Sequence, residues 1–169
     1  MSKKPIISDL EIEQAWSCMP NQGDFSLGLL FREVPDEVYE NFLGKKFNDV
    51  ERSGDSFLQP HSVLNYMTGE EASYYIAVYL LHLAEMLKNS TVSGFNLFPL
   101  EELFYFLNRR KILRKTLLPF LNKTQIKLII KSMDGLEQIF NANDSPYIGD
   151  NCSQRLRDSR IFLTEQLGN

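Results

Sequence analysis

The sequence predicts an all-α protein, a single helical domain over residues 1–169 with six to eight helices around a central apolar helix at about residues 70–88. Three observations predict it. Helix-start signals recur from Ser8 onward, apolar residues return at steps of three and four, and alternation at period two is confined to weak hints around Phe25 to Phe31. With 169 residues, of which 43% are hydrophobic and 24% charged, the chain is long and apolar enough to bury a core without disulfides or a metal. Disordered and low-complexity classes are excluded on the same ground.

The elements follow in order. Ser8-Asp9-Leu10-Glu11 is a capping box, in which the serine oxygen takes an orphan amide proton and the glutamate reaches back, so a short helix runs through Trp16 until Pro20-Asn21-Gln22-Gly23 breaks it. Pro35-Asp36-Glu37 puts proline and acids where a helix start favours them, with Val38 and Phe42 as an apolar edge and Gly44 as the stop. A third helix is expected from Pro60 through Met67. Thr68-Gly69-Glu70-Glu71 is a second capping-box spacing, and it opens Ala72 to Lys88, apolar on nearly every face and therefore central. Pro99-Leu100-Glu101-Glu102 is read as the next start, with Lys111 to Leu121 continuing or restarting that helix around Pro119. Thr124 caps a stripe from Ile126 to Phe140, Asn141 to Asp150 is a turn segment, and Ser153 to Leu167 is the last helix.

Chemistry is sparse. Cys18 and Cys152 lie outside any Cys/His metal spacing, the first residues lack the apolar stretch of a signal peptide, and Ala72 to Leu87 falls short of a membrane span, so a cytoplasmic protein without metal or cofactor is expected. Nucleophile-elbow, dinucleotide, phosphate-loop and zinc-protease motifs do not occur. Glu70-Glu71 and Glu101-Glu102 are read as first-turn acids that answer the helix dipole. His82, inside the apolar helix, is read as a hydrogen-bonded core histidine, and His61 as solvent-facing.

Charge placement is more informative than the net value of −4. Residues 1–94 carry 14 acidic against 7 basic side chains and residues 95–169 carry 8 against 11, so the halves differ in sign. An acidic front half disfavours the nucleic-acid backbone and suits a basic protein partner. Asp24, Glu33, Asp36, Glu37 and Glu40, with Phe31 and Tyr39 among them, form the candidate partner-binding surface: an aromatic centre rimmed by charge is how tight interfaces concentrate energy. The basic run Arg109-Arg110-Lys111-Ile112-Leu113-Arg114-Lys115 is read as a solvated helix face, with the acidic front half as its intramolecular partner.

Thr68-Gly69-Glu70-Glu71-Ala72 leading into Tyr74-Tyr75-Ile76-Ala77-Val78-Tyr79-Leu80 resembles a family of small bacterial all-helical domains of unknown function, which pairs a Leu-Thr-Pro-Glu-Ala start with Tyr-Tyr-Leu-Pro-Ala-Tyr-Leu. The likeness spans about residues 56–140 and brings no catalytic residues; Ala77 stands where the family has proline. By type, the chain also resembles the immunity proteins of bacterial contact-dependent growth inhibition systems. That likeness implies a non-catalytic protein that binds and blocks a cognate toxin, often a basic nuclease. The alternative expectation is a small helical enzyme or regulator with a helix-lined pocket formed by Tyr75, His82 and Glu85.

Overall fold

The computed structural model describes residues 6–19, 36–42, 44–58, 63–89, 92, 94–143 and 151–168, and every element among them is helical. α1 (Asp9–Trp16), α2 (Asp36–Phe42), α3 (Asp55–Leu58), α4 (Gly69–Lys88), α5 (Gly94–Leu107), α6 (Arg110–Ile112), α7 (Lys123–Ala142) and α8 (Cys152–Gly168) are joined by short 3-10 turns at Phe47–Asp49, Val63–Tyr66 and Leu118–Phe120 and by a π-helical turn at Leu113–Leu117. The expected class is observed. The hints of alternation at 25–31 lie outside the described residues.

α4 is the axis of the fold. It buries every residue from Glu71 to Ala84, which a helix apolar on all sides must do to escape water, and it packs against α1, α5 and α7. Its start is the capping box expected at Thr68, whose side chain accepts the Glu71 amide while the Glu71 carboxylate accepts the Thr68 amide. The same reciprocal pair closes α1 at Ser8 and Glu11. α7 presents its stripe of Ile126, Ile129, Met133, Leu136 and Phe140 inward, and α8 closes over it through Leu156, Phe162 and Leu163. A buried hydrogen bond of 2.8 Å from the Trp16 indole nitrogen to the Ser73 carbonyl fixes α1 across the start of α4.

Four boundaries in particular differ from the sequence reading. Val63–Tyr66 is a 3-10 turn rather than the end of a helix from Pro60, because the Leu64 amide donates to the Glu102 carboxylate. α5 starts at Gly94 and carries Pro99 inside it. The apolar stretch around Pro99 is helical on both sides, so the proline is an interior residue and Glu101-Glu102 leave the first turn. α7 is capped by Asn122, two residues ahead of Thr124, and Asn122 shares a capping box with Gln125. Residues 109–121 do not continue α5; they pass through α6, the π turn and a 3-10 turn with Pro119 at its start.

Candidate functional site

The expected partner surface is described in part. Asp24, Phe31 and Glu33 lie outside the described residues. Asp36, Glu37, Tyr39 and Glu40 fall on α2, where Asp36, Glu37 and Glu40 are exposed while Val38 and Phe42 face the core. Tyr39 is half-buried and packs against the core, so it is a shoulder of the surface and not a projecting centre.

α2 is held firmly beneath those carboxylates. The Tyr75 hydroxyl lies 2.9 Å from the Phe42 carbonyl, which also accepts the Lys45 amide, and 2.8 Å from the Lys45 carbonyl, so a side chain of the central helix ties down the turn in which α2 ends. Gly44, at φ 67°, makes the left-handed turn that a helix stop of this kind requires. Asn41, also buried, bridges to Glu51 with its amide nitrogen donating to the Glu51 carbonyl at 2.9 Å and its oxygen accepting the Glu51 amide at 3.0 Å. Three acids therefore ride on a short helix that is pinned at its far end by two buried polar side chains.

A cleft of about 560 Å³ lies between the end of α1 and the 3-10 turn at 47–49. Glu13, Ser17, Lys46 and Asn48 form its exposed rim, over Trp16, Phe47 and Tyr74. These rings are 0%, 6% and 3% exposed, so an occupant would remove little further apolar surface from water.

Polar groups in and beside the core are held largely by bonds within the fold. Glu102 accepts the Leu64 amide at 2.9 Å through Oε1 and the Tyr79 hydroxyl at 3.0 Å through Oε2, and burial raises its carboxyl to about 7. His82 lies 2.9 Å from the Asn96 carbonyl through Nε2, which must therefore carry the proton; Nδ1 is buried with no hydrogen-bond partner among the described residues. Burial is the first cause holding His82 below its ordinary value. The Phe57 ring stands between, 5.2 Å from Tyr79 and 5.3 Å from His82. Glu85 is exposed, with Arg52 at 3.9 Å. Tyr75, His82 and Glu85 share one side of α4 but address different neighbours: the end of α2, the start of α5 and the Arg52 loop. His61 lies outside the described residues. Among those described, no group of three His, Cys, Asp or Glu side chains is placed to hold a metal, and no helix is long and apolar enough to cross a membrane.

Among the described residues the basic run makes no ion pair with the acidic half, although Arg109 donates to the Asn65 side-chain oxygen at 3.3 Å. Arg109, Arg110, Lys111, Arg114 and Lys115 are exposed and make no ion pair among the described residues, whereas Asp9 pairs with Lys88 and Glu11 with Lys131. The reason is position. Ser73 faces the carbonyls of Thr116 and Leu117 at 3.4 Å, while Tyr75 faces those of Phe42 and Lys45. Two residues along a helix are about 200° apart around its axis, so α4 separates the basic segment from α2.

No family model matches the chain, and neither a curated protein nor a solved structure matches it.

Proposed function

We propose that the protein is a non-catalytic cytoplasmic binding protein that neutralises a cognate bacterial toxin domain by docking the acidic face of α2 on a basic surface of that domain. The observation that carries this reading is the anchoring of α2: Asp36, Glu37 and Glu40 stand in solvent on a helix whose end is fixed by Tyr75 and Asn41. Charge presented on a rigid support loses little freedom on association and steers a cationic partner toward it. The type-likeness to immunity proteins supports the same reading. So does the engagement of Tyr79, Glu102 and Tyr75 in internal hydrogen bonds, which leaves their polar atoms committed to the fold.

The test is to mix the purified protein with the toxin domain encoded beside it and to follow both toxin activity and complex formation. A stoichiometric complex that silences the toxin, weakened by Asp36→Lys with Glu37→Lys, supports the reading. A complex unaffected by those changes moves the interface off α2, and a chain that leaves the toxin active removes the function.

A further inference from the structure

Residues 103–133 hold eight Lys or Arg and no Asp or Glu, the largest number of like charges in an unbroken run in the chain. The structure turns part of it into a surface. Arg109 just before α6, Arg110 and Lys111 on it and Arg114 and Lys115 on the π turn are exposed, and α8 lies alongside, held by a hydrogen bond of 2.9 Å from the Ser159 hydroxyl to the Asn108 side-chain oxygen. Two of the cations in this region are fixed over rings. The Arg114 guanidinium sits 5.5 Å from the centre of Phe162, and that of Arg155 sits 5.1 Å from Phe104 and 5.5 Å from Tyr105. Arg52, Lys88, Lys131 and Arg160 each face a carboxylate. Among the described residues the cations of this patch pair with none, as is also true of Lys45, Lys46, Lys123, Lys127 and Arg157, but here five of them fall within the seven residues 109–115.

We infer that Arg109, Arg110, Lys111, Arg114, Lys115 and Arg155 form a docking surface for the phosphodiester backbone of nucleic acid. The acidic sum of the chain argues against such a partner only if both signs share a face, and α4 separates this segment from the acids of α2. A run of one sign with no interspersed acid suits a polyanion better than a protein rim of mixed charge, and arginine's planar fork matches phosphate oxygens in pairs. Of the rings beneath the arginines, Phe104 is fully buried, Phe162 is 6% exposed and the half-buried Tyr105 lies under Arg155, so they give bases little platform. Contact is therefore with the backbone, independent of sequence and strongly salt-dependent. This surface stands whether or not α2 docks a toxin.

The experiment is fluorescence anisotropy of the full chain with a labelled 20-nucleotide single strand, in two unrelated sequences, across a salt series. About five phosphate contacts on a single strand give a log–log slope near −3.5, so affinity falls about 100-fold between 50 and 200 mM salt, equally for both sequences. Arg110→Gln with Lys111→Gln and Lys115→Gln, three exposed side chains, lowers that slope by about 2, whereas Lys45→Gln with Lys46→Gln, on the α2 side, leaves it unchanged. No binding at 50 mM salt overturns the inference, as does equal binding by the triple variant shown by circular dichroism to be folded. Poly-glutamate that competes as well as the oligonucleotide at equal charge also overturns it, because the surface would then be one for acidic proteins.

Discussion

The hydroxyl of Tyr79 and Oε2 of Glu102 lie 3.0 Å apart, the one on α4 and the other on α5, and the second oxygen of the same carboxyl accepts the Leu64 amide. One carboxyl thus joins both helices to the 3-10 turn at 63–66. Because burial raises it from 4.5 to about 7, the folded protein holds this proton more firmly than the unfolded chain does. Its contribution to stability is fully present below about pH 4.5 and is lost as pH rises through about 7.

Glu102→Gln is a neutral counterpart of the protonated form: its oxygen can accept the Leu64 amide, and its NH2 can donate to the Tyr79 hydroxyl oxygen once that hydroxyl turns its own proton away. The variant should therefore gain on wild type as pH rises, by about 2–3 kcal/mol between pH 4.5 and 8 after allowance for partial solvent screening. Denaturant titrations at the two pH values measure this. Equal differences at both would show that the carboxyl does not titrate in this range.

His82 acts in the opposite direction. Its folded value is lowered, first by burial, so its contribution is present above about 6.5 and is lost as pH falls through the folded value. Protonation would place a second N–H at Nδ1, where no acceptor waits among the described residues. His82→Gln keeps a donor directed at Asn96 and removes the titration. Thermal melts at pH 5 and 7 should show a smaller acid loss in the variant than in wild type, and an identical acid loss in both would assign it to other groups.

How much of this was legible follows from the range of the interactions. Capping boxes at Ser8 and Thr68 span three residues and are written locally, as is the stop at Gly44, so α1, α2 and α4 can be read from the chain. Glu102 cannot. Its partners are 38 and 23 residues away, and the local signal at Pro99 pointed to a helix start that would have explained the acid by the dipole alone. The segregation of charge is half legible: the two signs are visible in the sequence, but their placement about α4 depends on which way Ser73 and Tyr75 face.

Gly69 offers a test of close packing. A Cβ added there would lie 2.7 Å from the Thr116 carbonyl oxygen and 2.8 Å from the Phe120 ring. The ring can move, but the carbonyl belongs to the π turn, which Ser73 also faces. Alanine gains up to about 1 kcal/mol in helix propensity, while overpacking costs about 1–3 kcal/mol. Gly69→Ala should therefore be destabilising, as a lowered denaturation midpoint at unchanged slope. A raised midpoint would mean that the turn yields freely.

The interface proposed for α2 separates into a rate and a lifetime. Asp36, Glu37 and Glu40 are exposed, and exposed pairs are worth only about 0–1 kcal/mol each, so their effect is collective and falls with salt. Asp36→Lys with Glu37→Lys should slow association with the toxin domain by about tenfold at low salt and much less at 0.5 M, with dissociation nearly unchanged. Tyr39 differs, because its half-buried ring packs on the core and also borders the surface. Tyr39→Ala should lower the stability of the free protein and, if the ring is an anchor, raise the dissociation rate at every salt concentration by about 30-fold or more, the equivalent of about 2 kcal/mol. Melting of the free variant measures the first effect, and stopped-flow association with surface-based dissociation measures the second. A variant that melts lower yet dissociates like wild type would assign Tyr39 to the fold alone, leaving the carboxylates as the whole of the α2 contact.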